Sequence, residues 1–369
     1  MRVLCWSETF WPRIGGVEVL TAQLLQALGA RGYEFVVVTP DTEWHTHGND
    51  HYNGAPVHRF PFQSALASQQ VERLWQLRTQ VAQLKRRFAP DLVHINALGS
   101  SAIFQHWTAE AWRVPCLLTV HSTCGDDNLQ HDTLLGHTVR SANWVTAVSS
   151  AVLAELHRLV PEVRERSSVI HNAVAMPAQS PASLPIDTPR LLCLGRLVSE
   201  KGFDLALTAL AALRPRFPHL RMTIAGDGVD RGDLEERAAR LKLLDIVEFV
   251  GWVAPENVPA LINSATIVVI PSRREGLPLA GLQAALMARP VVGTRVGGLA
   301  ELVASEQTGL LVDTEDSAGL AEAITRLLQC GKLAVQMGEA ARARAEECFG
   351  WQRCVDAYDA LYQQLVKGG

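Results

Sequence analysis

What most limits the fold of this chain is an alternation of short strand-like runs with longer helical patterns. Runs of β-branched or apolar residues, bounded by turn formers, fall at 3–6, 35–39, 92–95, 117–120 and 144–147. Segments of helical spacing separate them, which is how a parallel sheet with crossover helices reads. Residues 173–189 then break the pattern with prolines at 177, 181, 185 and 189 and no apolar period of either kind, so they form a linker. The alternation resumes at 191–194, 222–225, 247–250, 267–270 and 291–293. Two successive doubly wound α/β domains follow, and open sheets of this kind bind ligands at the carboxyl ends of their strands.

Length agrees, because 369 residues exceed what one hydrophobic core usually supports. The formal net charge is -4, from 34 basic and 38 acidic side chains mixed along the chain, which argues against a nucleic-acid partner. The cysteines, at 5, 116, 124, 193, 330, 348 and 354, show none of the spacings of a zinc site and suit a reducing compartment. The opening MRVLCWSETF lacks the pattern of a signal peptide, and no apolar run approaches the ~18 residues of a spanning helix. A cytoplasmic protein is expected.

Three loops could carry chemistry. The first is PSRREGLPLAGLQAAL, residues 271–286, after the buried run IVVI. Glu275 falls in its turn, while Leu279 and Ala280 open a helix with amides that have no intrahelical acceptor and suit a phosphate. Pro278 fits a first helical position. The bland reading has Glu275, Arg273 and Arg274 merely solvating a turn. The second loop, GRLVSEKG at 195–202, places Arg196 and Lys201 between a strand and a helix starting near Phe203. A diphosphate leaving group needs its charge neutralised, and an Arg fork with a Lys point charge can do that without a metal. Two basic loop residues are otherwise an ordinary solvated edge. The third is the first strand-to-helix turn, where Gly15 and Gly16 precede an amphipathic helix. They allow close backbone approach to an anion, or simply a loop with positive φ. The GDG at 226–228 reads as an ordinary turn.

GRLVSEKG, EGLPLAGLQ, VGGLAE at 296–301, TVHS at 119–122, VIHNAV at 169–174 and the early GGVE occur in an order that resembles glycosyltransferase family 4 (group 1) over nearly the whole chain. That resemblance implies the retaining GT-B fold, two Rossmann-like doubly wound domains facing a central cleft. Residues 1–175 would be the acceptor-binding domain and 176–350 the nucleotide-sugar-binding domain. A C-terminal helix at 351–369 would pack back toward the N-terminal domain. By position, Arg196 and Lys201 would hold the donor diphosphate with Gly15 and Gly16, and Glu275 would bind the donor sugar. Leu279 and Ala280 would supply amides, His121 would face the sugar near the reacting carbon, and the backbone of 251–253 would meet the base. His121 on its own reads equally well as a core-edge histidine. Where the family places a second glutamate eight positions after the first, this chain has Gln283. An amide still accepts from ribose hydroxyls but loses the charge-assisted part, of order 1 kcal/mol.

The expected reaction is therefore transfer of a sugar from a UDP- or GDP-sugar to the hydroxyl of a carbohydrate, lipid-linked or small-molecule acceptor. The nucleotide sugar is a co-substrate, and no cofactor or metal is required. No Asp-x-Asp motif stands in a plausible metal position, and Asp126–Asp127 is the nearest thing to one. His45, His47 and His51 crowd one polar segment, better suited to acceptor contact than to a metal. Residues 71–88 form a basic amphipathic helix with Trp75. Its apolar stripe of Val71, Leu74, Leu77, Val81, Leu84 and Phe88 favours a crossover helix over a membrane-touching one. A sugar-nucleotide epimerase of the same fold, or a non-catalytic nucleotide-sugar-binding protein suggested by Gln283, are the alternatives.

Overall fold

Strand β1 (Arg2–Trp6) buries four of its five side chains, as a central parallel strand covered on both faces must. The computed structural model describes residues 1–11, 15–41, 48–122, 129–131 and 133–368. The chain divides into two units, one of Met1–His171 with Gln352–Gly369 and one of Asn172–Trp351.

The first unit continues with α1 (Gly16–Gly29), β2 (Glu34–Pro40), β3 (Gly48–Tyr52), β4 (Ala55–Phe60), α2 (Phe62–Ser68) and α3 (Val71–Phe88). Then come β5 (Leu92–Ile95), α4 (Ala102–Trp107), β6 (Cys116–Val120), α5 (Leu134–Ser141), β7 (Trp144–Ala147), α6 (Ser150–Leu159) and β8 (Ser167–Val169). Its eight-stranded sheet has the order β3-β4-β2-β1-β5-β6-β7-β8. Every pairing is parallel except that of β3 with β4. The second unit carries β9 (Arg190–Leu194), α7 (Phe203–Leu213), β10 (Arg221–Ala225), α8 (Arg231–Arg240), β11 (Val247–Gly251), α9 (Val258–Asn263) and β12 (Ile267–Ile270). It ends with α10 (Leu279–Leu286), β13 (Val291–Thr294), α11 (Leu299–Leu302), β14 (Gly309–Val312), α12 (Ser317–Gln329) and α13 (Gly331–Cys348). Its wholly parallel sheet runs β11-β10-β9-β12-β13-β14, the doubly wound order 3-2-1-4-5-6 of Rossmann-like sheets.

The last helix, α14 (Trp351–Gly368), belongs from Gln352 onward to the first unit. Cys354, Val355, Tyr358, Leu361 and Tyr362 form its buried stripe at helical spacing. The Tyr362 hydroxyl lies 2.6 Å from Nδ1 of the buried His94, whose Nε2 is 2.8 Å from Thr119 Oγ1. Arg31 donates to both Asp356 and Asp359. Burial holds the His94 imidazole down to about 3, with His121 acting in the same direction, so the ring is neutral.

Some strands escape a reading based on apolar runs. Strand β3 (GNDHY) has no β-branched residue, β8 is three residues long, and β4 and β14 are an edge-side and an end strand with mixed or very short apolar content. His51 accordingly sits in a strand rather than a loop, while His45, His47, Asp126 and Asp127 lie outside the described residues. The proline-rich segment 173–189 is held on the second unit, where Asn263 bonds the backbone of Ser180 and Ala182. Thr266 donates to the Pro185 carbonyl.

Helix α3 has the bounds its periodicity predicts, with one correction to its buried stripe. Val71 is exposed at its first turn, and Lys85 is buried instead. The Lys85 ammonium has one carbonyl partner, Gln105 O at 3.2 Å. Burial pushes its amine down to about 7 from the ordinary 10.5, against a smaller opposing effect of Cys116. Between those two values the unfolded chain binds the proton and the folded chain does not, so this group makes stability rise with pH across that window. Lys85→Met is expected to remove the rise and to be the more stable protein at pH 7 and below. Urea unfolding of both proteins between pH 6.5 and 9.5 checks it, and a stability difference independent of pH would refute it.

Candidate active site

In the second unit the strand order reverses direction between β9 and β12, which pair directly. A ligand site is expected at that point, beyond the carboxyl ends of the two strands. The loop after β9 carries Arg196 and Lys201, and the loop after β12 carries Glu275, so both strongest motifs meet at the switch point.

Four loops at this edge are stitched together by backbone contacts that only glycine permits. At Gly202 (φ 64) a Cβ would stand 2.0 Å from the Pro271 carbonyl oxygen, and at Gly297 (φ 43) one would stand 1.8 Å from that of Glu275. The GDG segment is more than an ordinary turn. A Cβ at Gly226 would meet Gly195 O at 1.8 Å, and one at Gly228 would meet Leu197 O at 2.2 Å. Such distances exclude any side chain, so the loops after β9, β10, β12 and β13 hold a fixed relation. Asn172, from the VIHNAV motif, adds a buried hydrogen bond to the Leu277 carbonyl.

Within this frame Lys201 Nζ donates to Glu275 Oε1 at 2.7 Å, and Ser272 Oγ donates to the same oxygen at 2.7 Å. The Glu275 side chain is only 6% exposed, against 24% for Lys201, so the carboxylate is held from two sides. Its Oε2 has no partner among the described residues and remains able to accept from a ligand hydroxyl. The Lys201 stem passes Gly195, with Cε 4.0 Å from where a Cβ would be. The next residue, Arg196, is exposed and makes no side-chain hydrogen bond or ion pair among the described residues. Lys201 and Glu275 are thus brought into direct contact, and Arg196 stands on the same loop with its five donors unused.

Helix α10 starts at Leu279, and its first internal bond is from the Gly281 amide to the Pro278 carbonyl at 3.1 Å. The amides of Leu279 and Ala280 precede that bond and point toward the helix start. Pro278 stands one place earlier than the first helical position, with an extended ψ of 121. Gln283 is half-buried one turn into the helix. At the end of β11, Gly251 takes a positive φ of 71 and accepts from the Gly226 amide at 2.7 Å, leaving Trp252 53% exposed beside it.

His121, Gly15 and Gly16 belong to the first unit. Gly15 is the residue before α1 with φ -139 and ψ -171, extended backbone that needs no glycine, and Gly16 is exposed as the first helical residue. His121 follows β6 and is half-buried, but both ring nitrogens are shielded and without a hydrogen-bond partner among the described residues. Burial lowers its pKa to about 4, while the Asn96 backbone, short of hydrogen-bond geometry, acts the other way. Asn96 is itself tied by its side chain to Thr21 of α1. The ring is therefore neutral, with one nitrogen a donor and the other an acceptor.

Sequence reasoning missed Ser272 as the orienting group of Glu275, and it left Arg273 as a solvated residue. Arg273 is instead bound to Asp204 and Glu315. Neither partner is near it in sequence, so no local signal could have found them. Among the described residues no group of three His, Cys, Asp or Glu stands ready to hold a metal ion.

Residues 178–344 match the family model for glycosyl transferases group 1, and residues 14–176 match that for glycosyltransferase family 4. A D-inositol 3-phosphate glycosyltransferase of Streptomyces scabiei is 30% identical over 74% of this chain and 67% of its own length. The chain belongs to the group 1 glycosyltransferases. A glycogen synthase of Mycobacterium tuberculosis is 29% identical over 100% of this group 1 chain and 96% of its own. Among solved structures, sucrose-phosphate synthase from Thermosynechococcus elongatus matches with a TM-score of 0.85 at 23% identity, covering 100% of both chains. Anabaena HepE matches at 0.83 and 20%, covering 99% of this chain and 100% of its own. The fold is GT-B, with two parallel-sheet α/β domains. No helix among the described residues is long and apolar enough to cross a membrane.

Proposed function

We propose that this group 1 glycosyltransferase moves a sugar from a nucleoside diphosphate donor, a UDP- or GDP-sugar, to an acceptor hydroxyl with retention of anomeric configuration and without a metal. The observation that carries the reading is the Lys201–Glu275 pair at the switch point between β9 and β12. HepE, which shares the fold, has been crystallised with UDP and with UDP-glucose, which supports a donor of this class.

Arg196 and Lys201 meet the charge of the diphosphate, aided by the Leu279 and Ala280 amides. Glu275 Oε2 accepts from a donor-sugar hydroxyl, and the neutral His121 hydrogen-bonds the sugar near the reacting carbon. Gln283 accepts from the ribose. The bond from the anomeric carbon to the leaving phosphate oxygen breaks, and the acceptor oxygen forms its bond on the same face. The acceptor proton passes to the departing diphosphate. Developing charge on that diphosphate is what the two cations stabilise more in the transition state than in the ground state.

A thermal-shift screen against UDP, GDP and ADP, run with and without a chelator, tests this. A ligand at a hundred times its dissociation constant adds about 2.7 kcal/mol of stability, and one of the three is expected to do so with chelator present. No shift with any nucleotide would overturn the donor class, and a shift or turnover abolished by the chelator would overturn metal independence. Donor consumption without an acceptor would point to an epimerase instead.

A further inference from the structure

We propose that Arg273 is a positioning residue that sets the distance between Lys201 and Glu275 by binding together the loops that carry them. The proposal rests on the assignment of those two groups to the donor. All five N–H donors of the Arg273 guanidinium are used. Nη1 donates to Asp204 Oδ1 at 2.9 Å and to the Ser199 carbonyl at 2.7 Å. Nη2 donates to Asp204 Oδ2 at 2.9 Å and to Glu315 Oε2 at 3.1 Å, and Nε donates to Glu315 Oε1 at 2.5 Å. Both carboxylates are gripped bidentately, the geometry that only a planar fork supplies.

The bonded segments place this grip at the site. Ser199 and Glu200 directly precede Lys201, and the Arg273 amide donates to the Glu200 carbonyl at 2.7 Å. Arg273 is two residues before Glu275 and next to Ser272, which orients that carboxylate. Asp204 opens α7 after the Lys201 loop. Glu315 precedes α12 at a positive φ of 62, so a third loop is brought in at a backbone conformation rare for a glutamate. Partial burial of Asp204 opposes its ionisation, but the Arg273 bonds outweigh this and hold its carboxyl below the usual range. An exposed ion pair would contribute little. Here one guanidinium closes three loops on top of the backbone contacts that already join two of them, and losing it loosens the alignment of Lys201 with Glu275.

Arg273→Ala is expected to lower kcat about ten- to a hundredfold and to raise the donor KM, since small misplacements of a positioned group have effects of that size. Millimolar guanidinium ion should restore a large part of kcat in this variant, ammonium should not, and Arg273→Lys should remain impaired. Arg274→Ala, an exposed neighbour, serves as the control at wild-type rates. Lys201→Ala and Glu275→Gln are assayed alongside. If those two keep full turnover, the donor reading itself fails. If they lose it while Arg273→Ala keeps kcat within twofold, or if Arg273→Ala loses activity only in step with folded protein and without guanidinium rescue, the positioning role alone is overturned. Should Arg273→Ala not fold, Glu315→Gln asks the same question, and unchanged kcat and KM there would overturn the proposal.

Discussion

Replacing Lys201 with alanine is expected to lower turnover of the nucleotide sugar by a factor of about a hundred or more, the scale for removing one preorganised charge-stabilising group. Arg196→Ala is expected to fall in the same range. The two are not equivalent, because Lys201 has a second partner. Its removal leaves Glu275, 6% exposed, with Ser272 as its one side-chain donor among the described residues, so an uncompensated carboxylate then stands beside the proposed diphosphate site. Arg196 makes no such contact. Lys201→Ala should therefore raise the donor KM more than Arg196→Ala does, while both reduce kcat. Combining Lys201→Ala with Glu275→Gln should recover donor affinity, since the stranded charge is gone, but not turnover. Steady-state kinetics of nucleotide release on the three folded variants measures these effects. Normal turnover in both single variants would remove the basis of the mechanism.

What the sequence disclosed about this site follows from which contacts are local. Glu275, Lys201, Leu279 and Ala280 were legible because each sits at a fixed offset from a buried strand, and the strand run and helix start can be read from a few neighbours. The contact between Lys201 and Glu275 spans 74 positions. Only the family resemblance, not spacing, put them in one place. The grip of Arg273 on Asp204 and Glu315 was invisible for the same reason, across 69 and 42 positions. The GDG segment was undervalued because a glycine needed for another loop's approach looks like a glycine needed for a turn. Gly226 and Gly228 show the former by what their Cβ atoms would meet. In the fold, the central strands announce themselves by continuous apolar runs such as IVVI of β12, every residue of which is buried. The polar edge strand β3 (GNDHY) has no apolar run to announce it.

Arg289 should carry the largest single contribution to stability of any charged side chain in the second unit. It is fully buried, and its donors reach four carbonyls: Ala265 at 2.8 Å, Ala182 at 2.8 Å, Met287 at 2.9 Å and Asn263 at 2.7 Å. Asn263 is the last residue of α9 and Met287 caps α10, with Ala265 two residues beyond α9, so two of these oxygens belong to helix C-termini. Those carbonyls have no intrahelical donor and carry the negative end of the helix dipole. A cation can thus be buried there without a carboxylate, although burial still pulls its pKa down to about 10. At that value the guanidinium is still ionised at physiological pH. The fourth oxygen, of Ala182, lies in the proline-rich segment and fastens it to the unit. Arg289→Met keeps much of the apolar volume but strands the four carbonyls, and the expected loss is on the order of 3–5 kcal/mol. Arg289→Lys should recover only part of it, because an ammonium has three donors and no fork. Denaturant unfolding of the two variants measures the loss, and proteolysis near 173–189 should accelerate with it. A cost below about 1 kcal/mol for Arg289→Met, the scale of an ordinary solvated hydrogen bond, would mean that water replaces the guanidinium and that the four-carbonyl cradle is not what holds these helix ends.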